Sequence, residues 1–144
     1  MDNLIIGGDI ADDKWYSKWL QITPTALTAK GSYVIDLVDI GYLPQNDNYD
    51  YEVLFSCWLW TATAATGNSA NLTVHNGSDS TARPYITLLY AITRVAGYSS
   101  IQGCSCTLPL LNGNKKICFC NGQNFAYSSW GIQFTGYRRL GTNV

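Results

Sequence analysis

From Tyr51 to Thr63 the chain is apolar on both alternating faces. Tyr51, Val53, Phe55, Cys57 and Leu59 fall on one. Leu54, Trp58, Trp60 and Ala62 fall on the other after Glu52, with Ser56 the only polar interruption. A period of two with β-branched and aromatic residues predicts a central strand covered on both sides. Tyr33 to Ile40 reads as a strand entered through Lys30-Gly31-Ser32. Ala70, Leu72 and Val74 alternate with Asn71, Thr73 and His75, which predicts a half-buried strand with His75 on its polar side. Tyr85 to Val95 places Ile86, Leu88, Tyr90 and Ile92 on one face. Ile101 to Leu110 and Lys115 to Cys120 flank Leu111-Asn112-Gly113-Asn114, a hairpin signal. Phe125 to Tyr137 closes the sheet with Trp130, Ile132 and Phe134 on one face, and Gly131 and Gly136 mark bulges or close backbone approach. Trp15, Trp19 and Ile22 have near-helical spacing, so Lys14 to Thr23 is expected to be a short helix or turn leading into a strand.

Seven to nine strands with turn signals at short intervals predict an all-β fold, an antiparallel jelly-roll-like β-sandwich. Residues 14–144 form that domain. Residues 1–13 stand apart as an N-terminal arm, in which Leu4, Ile5 and Ile6 make a short apolar knot before Gly7-Gly8.

Composition narrows the function classes. Only 13% of the 144 residues are charged and the net charge is −1, while ten Tyr and five Trp are present. The aromatics either fill a β core or cover subunit contacts. Basic residues pair only at Lys115-Lys116 and Arg138-Arg139, which argues against nucleic acid. No stretch approaches the ~20 apolar residues of a membrane span. The first residues lack a positive n-region, so a cytoplasmic origin and reduced thiols are expected.

Cys104, Cys106, Cys118 and Cys120 form two C-x-C pairs. A two-residue Asn112-Gly113 turn puts the pairs on opposite faces of the hairpin. A three-residue Leu111-Asn112-Gly113 loop brings all four together, a zinc-capable cluster without the usual C-x2-C knuckle. Small reduced core residues are the expectation, with no metal and no cofactor. His75 is the only histidine and has no evident nucleophile, so it reads as a surface residue. Glu52 is the only glutamate, and Asp36 and Asp39 are expected on opposite faces of one strand, so no acid–base pair is found. Asn46, Asn48 and Asp50 have alternate oxygen-ligand spacing but lack the following Gly and distant Glu of a calcium loop.

Trp15-Tyr16-Ser-Lys-Trp19-Leu, then Gly31-Ser-Tyr-Val-Ile-Asp-Leu, then a final Trp130-Gly-Ile-Gln-Phe-Thr-Gly-Tyr137 give a chain that resembles the jelly-roll modules of tailed-bacteriophage virions: head fibres, capsid decoration proteins and tail-fibre tips. The likeness covers roughly residues 14–140 and carries over no functional residue. It implies a non-enzymatic structural protein of the virion, assembled in the host cytoplasm, often a homotrimer. Leu4, Ile5 and Ile6 would then attach it to another virion protein. The alternative is a lectin-like module contacting surface glycan through Tyr49, Asn121 and Asn124.

Overall fold

The computed structural model describes residues 14–44, 49–60, 69–91 and 102–142. They form β1 (Trp15–Ile22), β2 (Ser32–Asp36), β3 (Tyr49–Trp60), β4 (Ser69–Asn76), β5 (Tyr85–Ala91), β6 (Gln102–Leu110), β7 (Lys116–Asn121) and β8 (Ser129–Thr142). Two four-stranded antiparallel sheets face each other, in the orders β1-β8-β3-β6 and β2-β7-β4-β5. This is the all-β sandwich that the alternation predicts. The pairs β1–β8, β2–β7, β3–β6 and β4–β5 nest one inside the next, so the chain is a two-stranded ribbon that passes from sheet to sheet.

β3 lies between β8 and β6 and is the interior strand expected. Tyr51, Val53, Phe55, Cys57 and Leu59 are buried against the second sheet. Its other face is only half-buried at Glu52, Leu54, Ser56 and Trp58, so one side faces the core and the other is partly open. Each fully buried aliphatic side chain here contributes about 1.5–3 kcal/mol. Aromatic contacts run through the core from sheet to sheet. Tyr51 meets Tyr137 edge-on at 5.7 Å, Phe55 lies 5.8 Å from Phe134 and 6.0 Å from Phe119, and Phe119 lies 5.6 Å from Trp130. Tyr51, Phe55, Phe119, Trp130 and Phe134 are therefore core, as the first of the two readings had it, whereas Trp15, Trp19 and Tyr85 are exposed.

β8 explains both flagged glycines. Leu54 pairs with Gly136 and Phe55 with Phe134, which leaves Thr135 as an extra residue without a partner on β3. The bulge changes the phase of the strand, so Trp130, Ile132 and Phe134 face the core before it and Tyr137 packs against the core after it. A Cβ on Gly136 would lie 2.8 Å from the Tyr16 carbonyl oxygen, and one on Gly131 would lie 2.4 Å from Trp58 Nε1.

Three expectations are corrected. Lys14 to Thr23 holds no helix: Trp15–Ile22 is the edge strand β1, with Tyr16, Leu20 and Ile22 half-buried and Trp15, Ser17, Trp19 and Gln21 exposed. Lys18 interrupts the inward face without disturbing it, because its amine reaches out to the carbonyls of Gly41 and Tyr42, 2.9 Å from each. The strand at Tyr33 ends at Asp36, whose Oδ1 accepts hydrogen bonds from the amides of Val38 and Asp39 and turns the chain. Finally, β6 and β7 do not pair. Asn112 and Gly113 do form a tight two-residue turn at φ 59° and 70°, with the Asn114 amide donating to the Leu111 carbonyl. Both edges of β7 are already taken by β2 and β4, so β6 continues into the opposite sheet.

Candidate functional site

The sandwich closes unequally at its two sides. At one side β5 and β6 pack together. At the other, the edge strands β1 and β2 are separated by a cleft of about 540 Å³. Leu20 and Ile22 form one wall, Val34 and Ile35 the other, and Ile40 comes from the turn after β2. Asp36, Asp39 and Lys116 supply its charged groups. Large apolar side chains are exposed on this side of the molecule: Ile40 at 45% and Val34 at 42% line the cleft, while Trp19 at 63% and Trp15 at 41% stand on the outward face of β1. Trp19 sits where the β1–β8 register shifts, between Ser17 and Leu20. The alternation of β1 runs on through this irregularity, so the indole faces outward with Trp15, Ser17 and Gln21. Arg138 lies 5.2 Å from the Trp15 ring while its Nε bonds Glu52 at 2.7 Å, which holds this end of the face in place. An edge strand with exposed Trp and no blunting Pro is a surface that favours burial against another chain. The expectation that Asp36 and Asp39 diverge is also corrected: both line this cleft, because the strand stops at Asp36.

The candidate residues read from the sequence do not come together. Leu4, Ile5 and Ile6 lie outside the described residues, as do Asn46 and Asn48. Tyr49 begins β3, where the Arg139 guanidinium lies 3.6 Å from its ring centroid. Asn121 ends β7 at the opposite end of the sandwich from the Asn112-Gly113 turn, onto which Asp50 packs by accepting from the Gly113 amide at 3.0 Å. Asn121 is 2% exposed, and its amide is committed within the fold. Its Nδ2 donates to the carbonyls of Thr28 at 3.1 Å and Phe125 at 2.9 Å, and its Oδ1 accepts from the Gln123 amide. It is a loop staple, so the glycan triad of Tyr49, Asn121 and Asn124 does not converge; Asn124 alone of the three is exposed.

The four-cysteine cluster does not form, because β6 and β7 lie in different sheets. Cys106 packs against the core opposite Phe55, and the backbone of Cys104 stands opposite Cys57. Cys118 and Cys120 lie on the outer face of the second sheet, with their Sγ atoms 3.4 Å apart. Among the described residues no three His, Cys, Asp or Glu side chains gather in an arrangement able to hold a metal ion. His75 is 3% exposed, not a surface residue. Its Nδ1 donates to the Ala82 carbonyl at 3.0 Å, its Nε2 lies 2.8 Å from Thr73 Oγ1, and its ring stacks on Tyr85 at 5.0 Å. His75 stands on the polar side of β4 and is nonetheless buried, because the loop between β4 and β5 folds back over it through Ala82 and Tyr85 stacks on its ring. The chain matches no protein-family model and no curated protein.

Proposed function

We propose that this chain is a non-enzymatic structural subunit of a virion of the tailed-bacteriophage kind, assembling with copies of itself through the β1–β2 side of the sandwich. The observation that carries this reading is the exposed apolar surface at the edge strands β1 and β2: Val34 and Ile40 line the cleft between them, and Trp15 and Trp19 stand on the outward face of β1. The low charge of the chain leaves little electrostatic means of keeping such a face in water. The nested strand order is that expected of a jelly roll, an architecture that recurs in viral capsid and lectin domains, so it supports the class and not the role. The apolar edge favours assembly over glycan recognition, because the glycan residues named above are scattered.

A subunit contact built on this face would bury on the order of 1,600 Å². Trimerisation is the expected symmetry, and residues 1–13 would attach the assembly to a neighbouring virion protein. The experiment is the solution mass across a dilution series, for the wild type and for the double variant Trp19→Ser, Ile40→Ser. An oligomer that falls to a monomer in the folded double variant supports the reading. A wild-type chain that stays monomeric at all concentrations overturns self-assembly through this face.

A further inference from the structure

β7 carries a second feature on the opposite side of its backbone from the core. Cys118 and Cys120 are two positions apart in one strand, so both thiols project from the same face of the sheet. Their Sγ atoms are 3.4 Å apart. In register, Ser32 and Thr73 flank Cys120, and Val34 and His75 flank Cys118. Neither thiol belongs to the cluster packed between the sheets. Cys118 is fully buried, whereas Cys120 is 7% exposed and opens onto a cleft of about 300 Å³. Lys30, Ser32, Thr73, Asp79 and Ser80 form the walls of that cleft. A polar passage therefore leads from solvent to one sulfur, with the second directly behind it. The hydrogen bond from the Cys118 thiol, and then that of Thr73, hold Cys120 below the ordinary thiol range. The same bond to Cys120, followed by burial, pushes Cys118 up.

We propose that Cys118 and Cys120 form a two-sulfur site for a soft, thiophilic ion of low coordination number, of the class of copper(I) or trivalent arsenic. Thiolates select soft ions, and such ions are satisfied by two or three sulfurs. Zinc in a structural site takes four ligands, and no third metal-binding side chain joins these two among the described residues. The close sulfur–sulfur approach suits an ion with a bent S–ion–S angle, and rotation of the Cys120 side chain toward the cleft opens the span for a linear one. Binding displaces one proton from each thiol. With phenylarsine oxide, two As–S bonds form, the arsenic–oxygen bond breaks, and the oxygen leaves as water with the two thiol protons.

The test uses the full chain, reduced and freed of reductant, titrated under native conditions with phenylarsine oxide and, in a separate anaerobic series, with copper(I). Digestion and mass mapping of the wild type locate the adduct without any variant. The expected result is a single arsenical bridging Cys118 and Cys120, together with a rise in melting temperature. The adduct disappears in Cys118→Ser and in Cys120→Ser and persists in Cys106→Ser. A native wild-type chain that takes up neither probe overturns the proposal, and so does an adduct that maps to Cys57, Cys104 or Cys106.

Discussion

Tyr42 is fully buried, and its hydroxyl donates to the Lys18 carbonyl at 2.6 Å, fastening the turn after β2 to the edge strand β1. Burial, and next the neighbouring Tyr137, push this phenol up from 10.0 to about 12. The folded chain therefore keeps a proton that the unfolded chain has already released. Stability is complete below pH 10 and falls as the pH rises from 10 toward 12, by an amount on the order of 2 kcal/mol for this group. Tyr127, raised by burial, adds to the same alkaline loss. Urea unfolding at pH 8 and pH 11.5 checks this. Tyr42→Phe is expected to cost about 1 kcal/mol at pH 8 and to lose less than the wild type on going to pH 11.5. An equal loss in both proteins would remove Tyr42 as the source. Asn76 offers a second test. Its Oδ1 accepts from the Leu111 amide at 2.8 Å, and its Nδ2 donates to the carbonyls of Asn114 and Lys116. One buried amide thus satisfies the backbone where β6 and β7 diverge. Asn76→Ala is expected to cost about 1–3 kcal/mol, read from the urea midpoint, because three backbone groups lose their partner.

At the scale of elements, the bulge of β8 makes a sharper claim. A methyl on Gly136 meets a backbone carbonyl, which moves only if β1 separates from β8, whereas a methyl on Gly131 meets the Trp58 ring, a half-buried side chain. Gly136→Ala is expected to cost about 1–3 kcal/mol and Gly131→Ala less, with a change in Trp58 fluorescence in the second case only. The reverse order of midpoints would show that β1 yields more readily than the indole. Both glycines were legible in the sequence as residues without a side chain inside a strand pattern, and Gly136 also stands where the next inward residue after Phe134 would be. So was β3, whose inward face is unbroken over five residues. Other features were legible only in part. β1 hid its alternation because Lys18 stands among the inward residues and two Trp stand among the outward ones, giving a spacing that mimics a helix. The Asn112-Gly113 turn was read correctly as a turn, but its neighbours' partners are set by which strand edges remain open, and local sequence does not record that. The candidate face had a signal in the excess of Trp and Tyr. Which aromatics are exposed followed only from the pairing of β1 with β8.

For the molecule as a whole, the nested ribbon dictates how the chain must find its fold. β4 and β5 are joined by the short 77–84 segment and pair residue for residue from Ser69–Ala91 to His75–Tyr85. β1 and β8 bring together residues from opposite ends of the chain, Trp15 with Arg138 and Ile22 with Ile132. Closing the long loop costs conformational entropy before any contact repays it, so the inner pair has the advantage and the outer pair forms late. Sandwiches dominated by such distant pairings fold in milliseconds to seconds. Leu72 is fully buried on β4 and Ile132 is fully buried on β8, so each can report on its own end of the ribbon. Substitution of either by Ala is expected to cost about 2–5 kcal/mol at equilibrium. The kinetic consequences differ: Leu72→Ala should chiefly slow folding, and Ile132→Ala should chiefly speed unfolding. Stopped-flow fluorescence across a urea series resolves the two rates, with the buried Trp130 as a reporter of core formation. If Ile132→Ala instead slowed folding as strongly as Leu72→Ala, the ribbon would be closing along its whole length at once, and the order of assembly inferred from the nesting would be wrong.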